Sequence, residues 1–190
     1  MRATVRFRRS ALAAAVSLGL AAGFAGPAIA EDIPGHVFTS PADDRMVGAQ
    51  YFIDFRARRG AVLGHTFIAY GRLGAGGRLL DVEYAGNYPA DEMGLIVGMV
   101  IPVPTLIGPV KGDTTDPATI IYRRKLTAAQ FARVKGAVRH LRQTEHSWHL
   151  MFFNCNDLAV EVAREIGLRS PPSWMVPHAY VTVLRELNDR

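Results

Sequence analysis

The sequence predicts an α+β domain in which an antiparallel sheet packs against a helix that carries the only cysteine. Three stretches have the alternation and aromatic content of β-strands, and only short turns separate them. They are Gln50–Arg56, Gly64–Gly71 and Arg78–Tyr84. Strands joined by such short connections pair antiparallel, so a three-stranded meander is expected. A helical pattern begins directly at Cys155.

Residues 1–30 have the composition of an export signal. Four arginines precede an apolar run over Ala11–Phe24, and the small-x-small sequence AIA ends at Ala30. The apolar run is short for a membrane span. We therefore expect cleavage after Ala30 and a periplasmic or secreted protein. Residues 31–190 are long enough for a single domain with its own core.

The charge balance argues against nucleic acid as a partner. The full sequence carries 22 basic and 17 acidic side chains. Four arginines and no acidic residues lie within residues 1–30, so the expected mature chain carries 18 basic and 17 acidic side chains. Its net charge near +1 does not predict a basic surface for phosphate backbones.

Two regions lack clear periodicity. Residues 31–47 are polar and broken by glycine and prolines, which indicates a lead-in loop. In residues 86–116 we expect a turn at Asn87-Tyr88-Pro89, followed by an apolar stretch over 93–110 that glycines and prolines interrupt. This stretch is predicted to form either two short strands or a loop over the core. It is also the candidate for peripheral membrane contact.

The second half of the chain predicts one further strand and three helices. Thr119–Arg124 is rich in β-branched residues and indicates a strand. Thr127 and Gln130 have the spacing of a capping box and predict the start of a helix. The last helix is expected over Pro177–Leu187, since proline favours the first helical turn.

The stretch His149–Gly167, HLMFFNCNDLAVEVAREIG, predicts a short apolar strand, a polar turn and a helix. Cys155 falls at this strand-to-helix turn, where unpaired N–H groups of the first helical turn favour a thiolate. A single cysteine in an exported protein cannot form an internal disulfide, so its thiol is either buried or used. Composition leaves these two interpretations equal, and the position favours a nucleophile.

His65 is the best candidate base for this thiol among the six histidines. It begins a predicted strand directly after Gly64, which allows close approach of another group. The other histidines lie in irregular segments, near helix ends or on the segment of the cysteine itself. A histidine paired with a cysteine activates the thiol for nucleophilic attack.

The pair Gly64-His65 at a strand start, followed about ninety residues later by Asn154-Cys155 at a helix start, resembles the circularly permuted papain-like fold. That group includes the lecithin–retinol acyltransferase-like proteins and permuted relatives of the NlpC-type cell-wall peptidases. Its members have the histidine before the cysteine, as in GHTFIAYG and FFNCNDLAVEV here. The resemblance implies Cys155 as nucleophile and His65 as base, acting on an amide, ester or thioester.

The resemblance also implies a third residue that orients His65. Acyltransferase members carry a second histidine on the strand, which this chain lacks, so the third residue is expected within Leu79–Tyr84. If the hairpin turns near residues 74–75, Glu83 lies opposite His65 and can accept from an imidazole N–H. Glu83 is therefore the predicted residue and Asp81 the second choice. The alternative is that both acids face solvent.

The sequence thus predicts an exported thiol-dependent hydrolase (peptidase or amidase) or acyltransferase, acting on a cell-envelope component through a cysteine thioester. Cell-wall peptides and lipid acyl groups are the expected substrates, and a monomer without cofactor or metal is expected. The alternative is a non-catalytic envelope-binding domain on the same fold, with Cys155 merely buried. A metal site formed by His146, His149 and Asp157 is a third interpretation, although no carboxylate motif accompanies the H-x-x-H spacing.

Overall fold

A seven-stranded, mostly antiparallel sheet and five α-helices form a mixed α+β fold in the computed structural model, which describes residues 35–60, 63–145 and 147–190. The predicted export signal, residues 1–30, lies outside the described residues. The strands are β1 (His36–Thr39), β2 (Tyr51–Arg58), β3 (His65–Leu73), β4 (Leu79–Pro89), β5 (Val103–Gly108), β6 (Ile120–Leu126) and β7 (Ser147–Trp148). The helices are α1 (Glu92–Val97), α2 (Lys111–Thr115), α3 (Ala128–Thr144), α4 (Cys155–Glu165) and α5 (Pro177–Asn188).

The strands lie in the order β1-β6-β2-β3-β4-β5-β7. The predicted meander of β2, β3 and β4 is confirmed, since both pairs are antiparallel. Only β1 among the described strands runs parallel to its neighbour, β6. The expectation of a lead-in loop over 31–47 is therefore wrong at β1, because the edge of β6 supplies this segment with backbone partners.

The long helices α3, α4 and α5 cover one face of the sheet. The α3 capping box is confirmed, since Gln130 N–H donates to Thr127 Oγ1 at 3.2 Å. Residues of alternate strand positions and of one side of each helix form the core. Its members include Phe55, Ile68, Tyr122, Val134, Leu158 and Leu184. Burying an aliphatic or aromatic side chain of this size stabilises the fold by about 1.5–3 kcal/mol.

The β3–β4 hairpin turns later than the sequence indicated. Leu73 pairs with Leu79 around a 3-10 turn at residues 75–77, and Phe67 pairs with Gly86. Continuing this register places Tyr88 opposite His65. The expected turn at residues 87–89 is wrong because β5 pairs with this segment and extends β4 to Pro89.

The segment before Cys155 is a tight turn, so the predicted apolar strand there is wrong. Strand β7 contains only residues 147–148, and His149 and Phe153 then form an isolated antiparallel bridge. Polar side chains bind the backbone inside this turn: Met151 N–H donates to His149 Nδ1 at 3.0 Å, and Asn154 Nδ2 donates to the Leu150 carbonyl at 2.8 Å. Such local bonds compete with strand pairing.

Candidate active site

Asparagine side chains hold Cys155 at the start of α4, where the sequence predicted it. Asn154 is the N-cap, and its Oδ1 accepts from the N–H of Asn156 at 2.7 Å. Asp157 Oδ2 accepts from the Asn154 N–H at 2.7 Å, which completes a capping box. From β4, the buried Asn87 donates to the Asn154 carbonyl at 3.1 Å. The turn is therefore fixed to the sheet as well as to the helix.

Asn156 attaches a second segment to this turn. Its Nδ2 donates to the carbonyl oxygens of Ser173 at 2.8 Å and Met175 at 2.6 Å. Asn154 Nδ2 also donates to Ser173 O, at 3.3 Å. Residues 173–177 thereby become part of the wall around Cys155.

Strand β3 contacts the thiol directly. The backbone N–H of Thr66, the residue after His65, donates to the Cys155 sulfur. Burial nevertheless raises the pKa of the Cys155 thiol to about 11, because the loss of hydration outweighs the N–H groups of Thr66 and Asn156 that favour the thiolate. The thiol is protonated at neutral pH.

His65 is also neutral at rest. Burial is the main cause that lowers the pKa of His65 to about 3, and the positive charge of Arg58 adds to it. Arg58 is the partner of His65 in the β2–β3 register. The resting site thus holds a neutral thiol and a neutral imidazole, in contrast to a thiolate–imidazolium pair.

Cys155 and His65 line one cavity of about 720 Å³. No hydrogen bond between the thiol and the His65 ring is found within the described residues, and Thr66 is the residue that connects them. The two predicted residues are therefore brought to the same cavity wall.

Glu83 does not face His65, so this prediction is wrong. Glu83 pairs with Tyr70, accepts from its hydroxyl at 3.2 Å, and lies 3.5 Å from Lys135 Nζ. Tyr70 is five residues along β3 from His65, which corresponds to about 16 Å. The later turn and a register shift between Tyr70 and Arg72 account for the difference.

Asp81 is no better placed. It forms an exposed ion pair with Arg72, Oδ2 to Nη1 at 3.2 Å, near the turn of the hairpin. Both acids named from the sequence therefore belong to the opposite end of β3 and β4 from the candidate site.

Three residues beside His65 escaped the sequence reasoning. The rings of Tyr88 and His65 stack with centroids 4.1 Å apart. The Tyr88 hydroxyl donates to Oδ1 of the buried Asp113, and Arg58 Nε lies 3.8 Å from the same oxygen. Because Asn87-Tyr88-Pro89 was interpreted as a turn, Tyr88 was not considered as a strand residue opposite His65. The alternation of Tyr84, Gly86 and Tyr88 in β4 was the signal that could have found it.

The cavity wall is mainly apolar. The apolar side chains that line it include Leu95, Met99, Leu106, Trp148, Met151 and Trp174. Within the described residues, four buried polar atoms of the lining residues have no hydrogen-bond partner: Arg58 Nε, His65 Nε2, Trp148 Nε1 and Asn156 Oδ1. Buried polar atoms without partners are rare in folded proteins, so these atoms mark the cavity as a candidate binding site.

The geometry of His149 does not favour the metal interpretation. Its Nδ1 accepts from the Met151 N–H at 3.0 Å, and its Nε2 lies 3.3 Å from the Val100 carbonyl. Asp157 is engaged as a capping residue, and His146 lies outside the described residues. No group of three potential ligands suited to a metal occurs in the described part of the chain.

No family model, curated protein or solved structure matches this chain. The residues and their geometry therefore carry the functional assignment. None of the helices over the described ranges is long and apolar enough to cross a membrane.

Proposed function

We propose that this protein is an exported thiol-dependent hydrolase or acyltransferase with a permuted papain-like fold, acting on an amide, ester or thioester of an apolar envelope component. The observation that carries the proposal is that Cys155, at the start of α4, and His65, at the start of β3, line the same cavity. The packing of α4 against β3 and β4 supports the papain-like assignment.

The mechanism follows from the roles of these two residues. Cys155 Sγ attacks the carbonyl carbon while His65 takes the thiol proton. Because Nε2 of His65 is enclosed, Nδ1 is assigned as the accepting nitrogen. Collapse of the tetrahedral intermediate breaks the bond to the leaving group, which receives the proton from His65, and leaves a thioester on Cys155. Attack by water then gives hydrolysis, and attack by an alcohol or amine gives acyl transfer.

The start of α4 supports the oxyanion. The N–H groups of Asn156 and Asp157 are engaged with Asn154 at 2.7 and 3.2 Å. The Cys155 N–H interacts with its own sulfur and has no oxygen partner among the described residues, and we assign it as the donor to the developing negative charge. A preorganised donor of this kind contributes about 3–4 kcal/mol to transition-state stabilisation.

The apolar wall favours an acyl chain over a polar peptide as the substrate. Eleven large apolar side chains are exposed in three segments that border the cavity, and this set is called the apolar rim. Its members are Met93, Leu95, Ile96, Val97, Val100, Ile101, Leu106, Met151, Phe152, Trp174 and Val176. Five of them line the cavity itself. Exposed apolar patches of this kind mark interaction sites, so we propose that the apolar rim contacts the membrane surface.

A second candidate function is non-catalytic binding of an apolar envelope component. It is favoured by one specific observation: desolvation of the half-buried Cys155 side chain raises the pKa of its thiol to about 11, so the thiol is protonated at neutral pH. The two functions differ in whether Cys155 becomes acylated.

The test is single-turnover acylation of the purified protein by p-nitrophenyl esters of increasing chain length, with nitrophenolate release and intact mass as readouts. A stoichiometric burst with one acyl group on Cys155, absent in Cys155→Ser and slowed at least about 100-fold in His65→Gln, supports the enzyme. Saturable binding of a fatty-acyl ligand without any acyl adduct supports the binding domain. Envelope extracts incubated with wild type and Cys155→Ser then identify the natural product.

A further inference from the structure

We propose that Tyr88 is the positioning residue for His65. It orients the imidazole, which is the role that the third member of a catalytic triad has. This inference rests on the proposed function. Neither carboxylate of the hairpin, Glu83 or Asp81, lies beside His65, and Tyr88 takes the position that was expected for one of them. The supporting observations are the register of three strands, the space above Gly86 and the hydrogen bonds of the Tyr88 hydroxyl.

The register places His65 between two polar side chains. Arg58 on β2 pairs with His65, and continuation of the Phe67–Gly86 pairing sets Tyr88 on β4 opposite it. Directly opposite residues of antiparallel strands project from the same face, with Cβ atoms about 4.5–5.5 Å apart. The Tyr88 and His65 rings use this proximity to stack at 4.1 Å with an interplanar angle of 27°. Stacking restricts rotation of the imidazole.

Because Gly86 has no side chain, it leaves a space that both His65 Nε2 and the Tyr88 hydroxyl border. A Cβ added at Gly86 would lie 2.8 Å from His65 Nε2 and 2.7 Å from the Tyr88 hydroxyl oxygen. Nε2 has no hydrogen-bond partner among the described residues. Both atoms therefore border the same space, and we infer that the hydroxyl accepts from Nε2–H when the rings adjust within their stack. Any side chain at position 86 would occupy this space.

The Tyr88 hydroxyl oxygen can accept one more hydrogen bond in addition to the interactions that it already makes. Its hydroxyl donates to Asp113 Oδ1, and Arg58 interacts with the same hydroxyl. A hydroxyl oxygen has two lone pairs, so one remains for the Nε2–H of His65. Burial and the bond to Asp113 raise the pKa of Tyr88 far above its usual range. Tyr88 consequently keeps its proton and acts by position, not by proton transfer.

Asp113 and Arg58 in turn fix Tyr88. Asp113 Oδ2 accepts from the Val110 N–H at 3.0 Å at the start of α2, and its Oδ1 lies 3.8 Å from Arg58 Nε. Arg58 Nη1 also reaches Asp116 at 3.4 Å. The cluster thus joins β2, β4 and α2 around one side of His65.

The same hairpin contains a matched control. Tyr70 donates to Glu83 at 3.2 Å, so it also forms a tyrosine–carboxylate hydrogen bond, at the far end of β3. Tyr70→Phe and Tyr88→Phe each remove one such bond and keep the ring. A purely structural contribution is shared by both variants, whereas positioning of His65 belongs to Tyr88 alone.

The experiment measures single-turnover acylation of Cys155 by a p-nitrophenyl acyl ester over a range of ester concentrations. We expect the limiting acylation rate to fall about 10-fold in Tyr88→Phe and about 100-fold in Tyr88→Leu, with the half-saturating ester concentration unchanged within about twofold. Tyr70→Phe should acylate at the wild-type rate. A wild-type rate in Tyr88→Phe, an equal loss in Tyr70→Phe, or a change confined to half-saturation would overturn the proposal.

Nitrogen NMR of the histidine rings separates failure of this proposal from failure of the proposed function, because it needs no substrate. In the wild type we expect His65 in one tautomer, with the proton on Nε2, and in Tyr88→Phe a mixture of tautomers. That result supports positioning by the hydroxyl even if wild-type Cys155 is never acylated. An unchanged single tautomer in Tyr88→Phe overturns it whether or not acylation occurs.

Discussion

His65 and Tyr88 stack with their ring centroids 4.1 Å apart on neighbouring strands, and the enclosed Nε2 of His65 faces the space above Gly86. On this side of the imidazole, the Asp113 carboxylate accepts from the Tyr88 hydroxyl. An imidazolium formed beside Arg58 would be repelled by its charge. In the proposed mechanism, the proton therefore moves from the Cys155 thiol to His65 only while the sulfur attacks a substrate carbonyl.

The reactivity of Cys155 toward alkylating agents tests this description of the resting site. Burial raises the pKa of the thiol to about 11, so only the small thiolate fraction reacts at neutral pH. We expect the rate with iodoacetamide at pH 7.5 to be about 100-fold lower in the folded protein than in urea, where the thiol titrates near its usual pKa. Because the chain has one cysteine, the whole signal reports this site.

The pH dependence of that rate gives the contradicting outcome. The folded protein should show a rate that rises continuously up to about pH 11. An inflection below pH 8 would mean that the thiolate is stabilised at rest, as in an ion pair with His65.

The lowered pKa of His65 predicts that the folded protein loses stability in acid. Its folded pKa, about 3, is lower than its usual value of 6.5, so the unfolded chain binds a proton that the folded protein does not. The stabilising contribution is fully present above pH 6.5 and is lost as the pH falls towards 3, at up to about 1.4 kcal/mol per pH unit. Urea unfolding between pH 7 and 4 should show a shallower decline for His65→Gln than for the wild type.

The exposed His140 on α3 provides the control for this experiment. Carboxyl groups also titrate in this range, and they are common to all three proteins. His140→Gln should therefore follow the wild-type decline. Parallel curves for His65→Gln and the wild type would contradict a neutral His65 in the folded protein.

Local signals were sufficient for the elements that carry the two central residues. The Thr127–Gln130 capping box, the polar break at Asn154 and the strand-forming residues after His65 each involve neighbours in the chain, and the helix and strand starts follow from them. The meander was predictable for the same reason, because short turns leave antiparallel pairing as the available connection.

Non-local pairing decided what sequence reasoning missed. The register of β3 against β4 depends on a 3-10 turn and a shift near Tyr70, and neither has a distinctive residue pattern. Asn87-Tyr88-Pro89 has the composition of a turn, but the partner strand β5 holds it extended. These two errors moved the candidate third residue from Tyr88 to Glu83. A shift of a few residues in register thus changes the chemistry assigned to the site.

Glu83→Gln tests the corrected register. Gln retains an oxygen that accepts from Tyr70 and loses only the pairing with Lys135, in which both side chains are nearly half exposed. We expect the free energy of unfolding to change by about 0.5 kcal/mol or less, and the acylation rate of Cys155 to stay within about twofold of the wild type. A loss comparable to that of His65→Gln would restore Glu83 as a member of the site.

The two tryptophans make membrane contact by the apolar rim measurable. Trp148 is 5% exposed and Trp174 is 69% exposed at the rim, so only Trp174 should change environment when the rim enters a lipid surface. We expect vesicles of phosphatidylethanolamine and phosphatidylglycerol to shift the wild-type emission to shorter wavelength. In Trp174→Phe the shift should disappear although co-sedimentation with vesicles persists, and Phe152→Ser combined with Val176→Ser should weaken co-sedimentation about 10-fold.

Val47→Ser removes an exposed apolar side chain outside the rim and should bind as the wild type does. Equal weakening by Val47→Ser, or vesicle binding that the rim substitutions do not alter, would contradict a rim-specific contact.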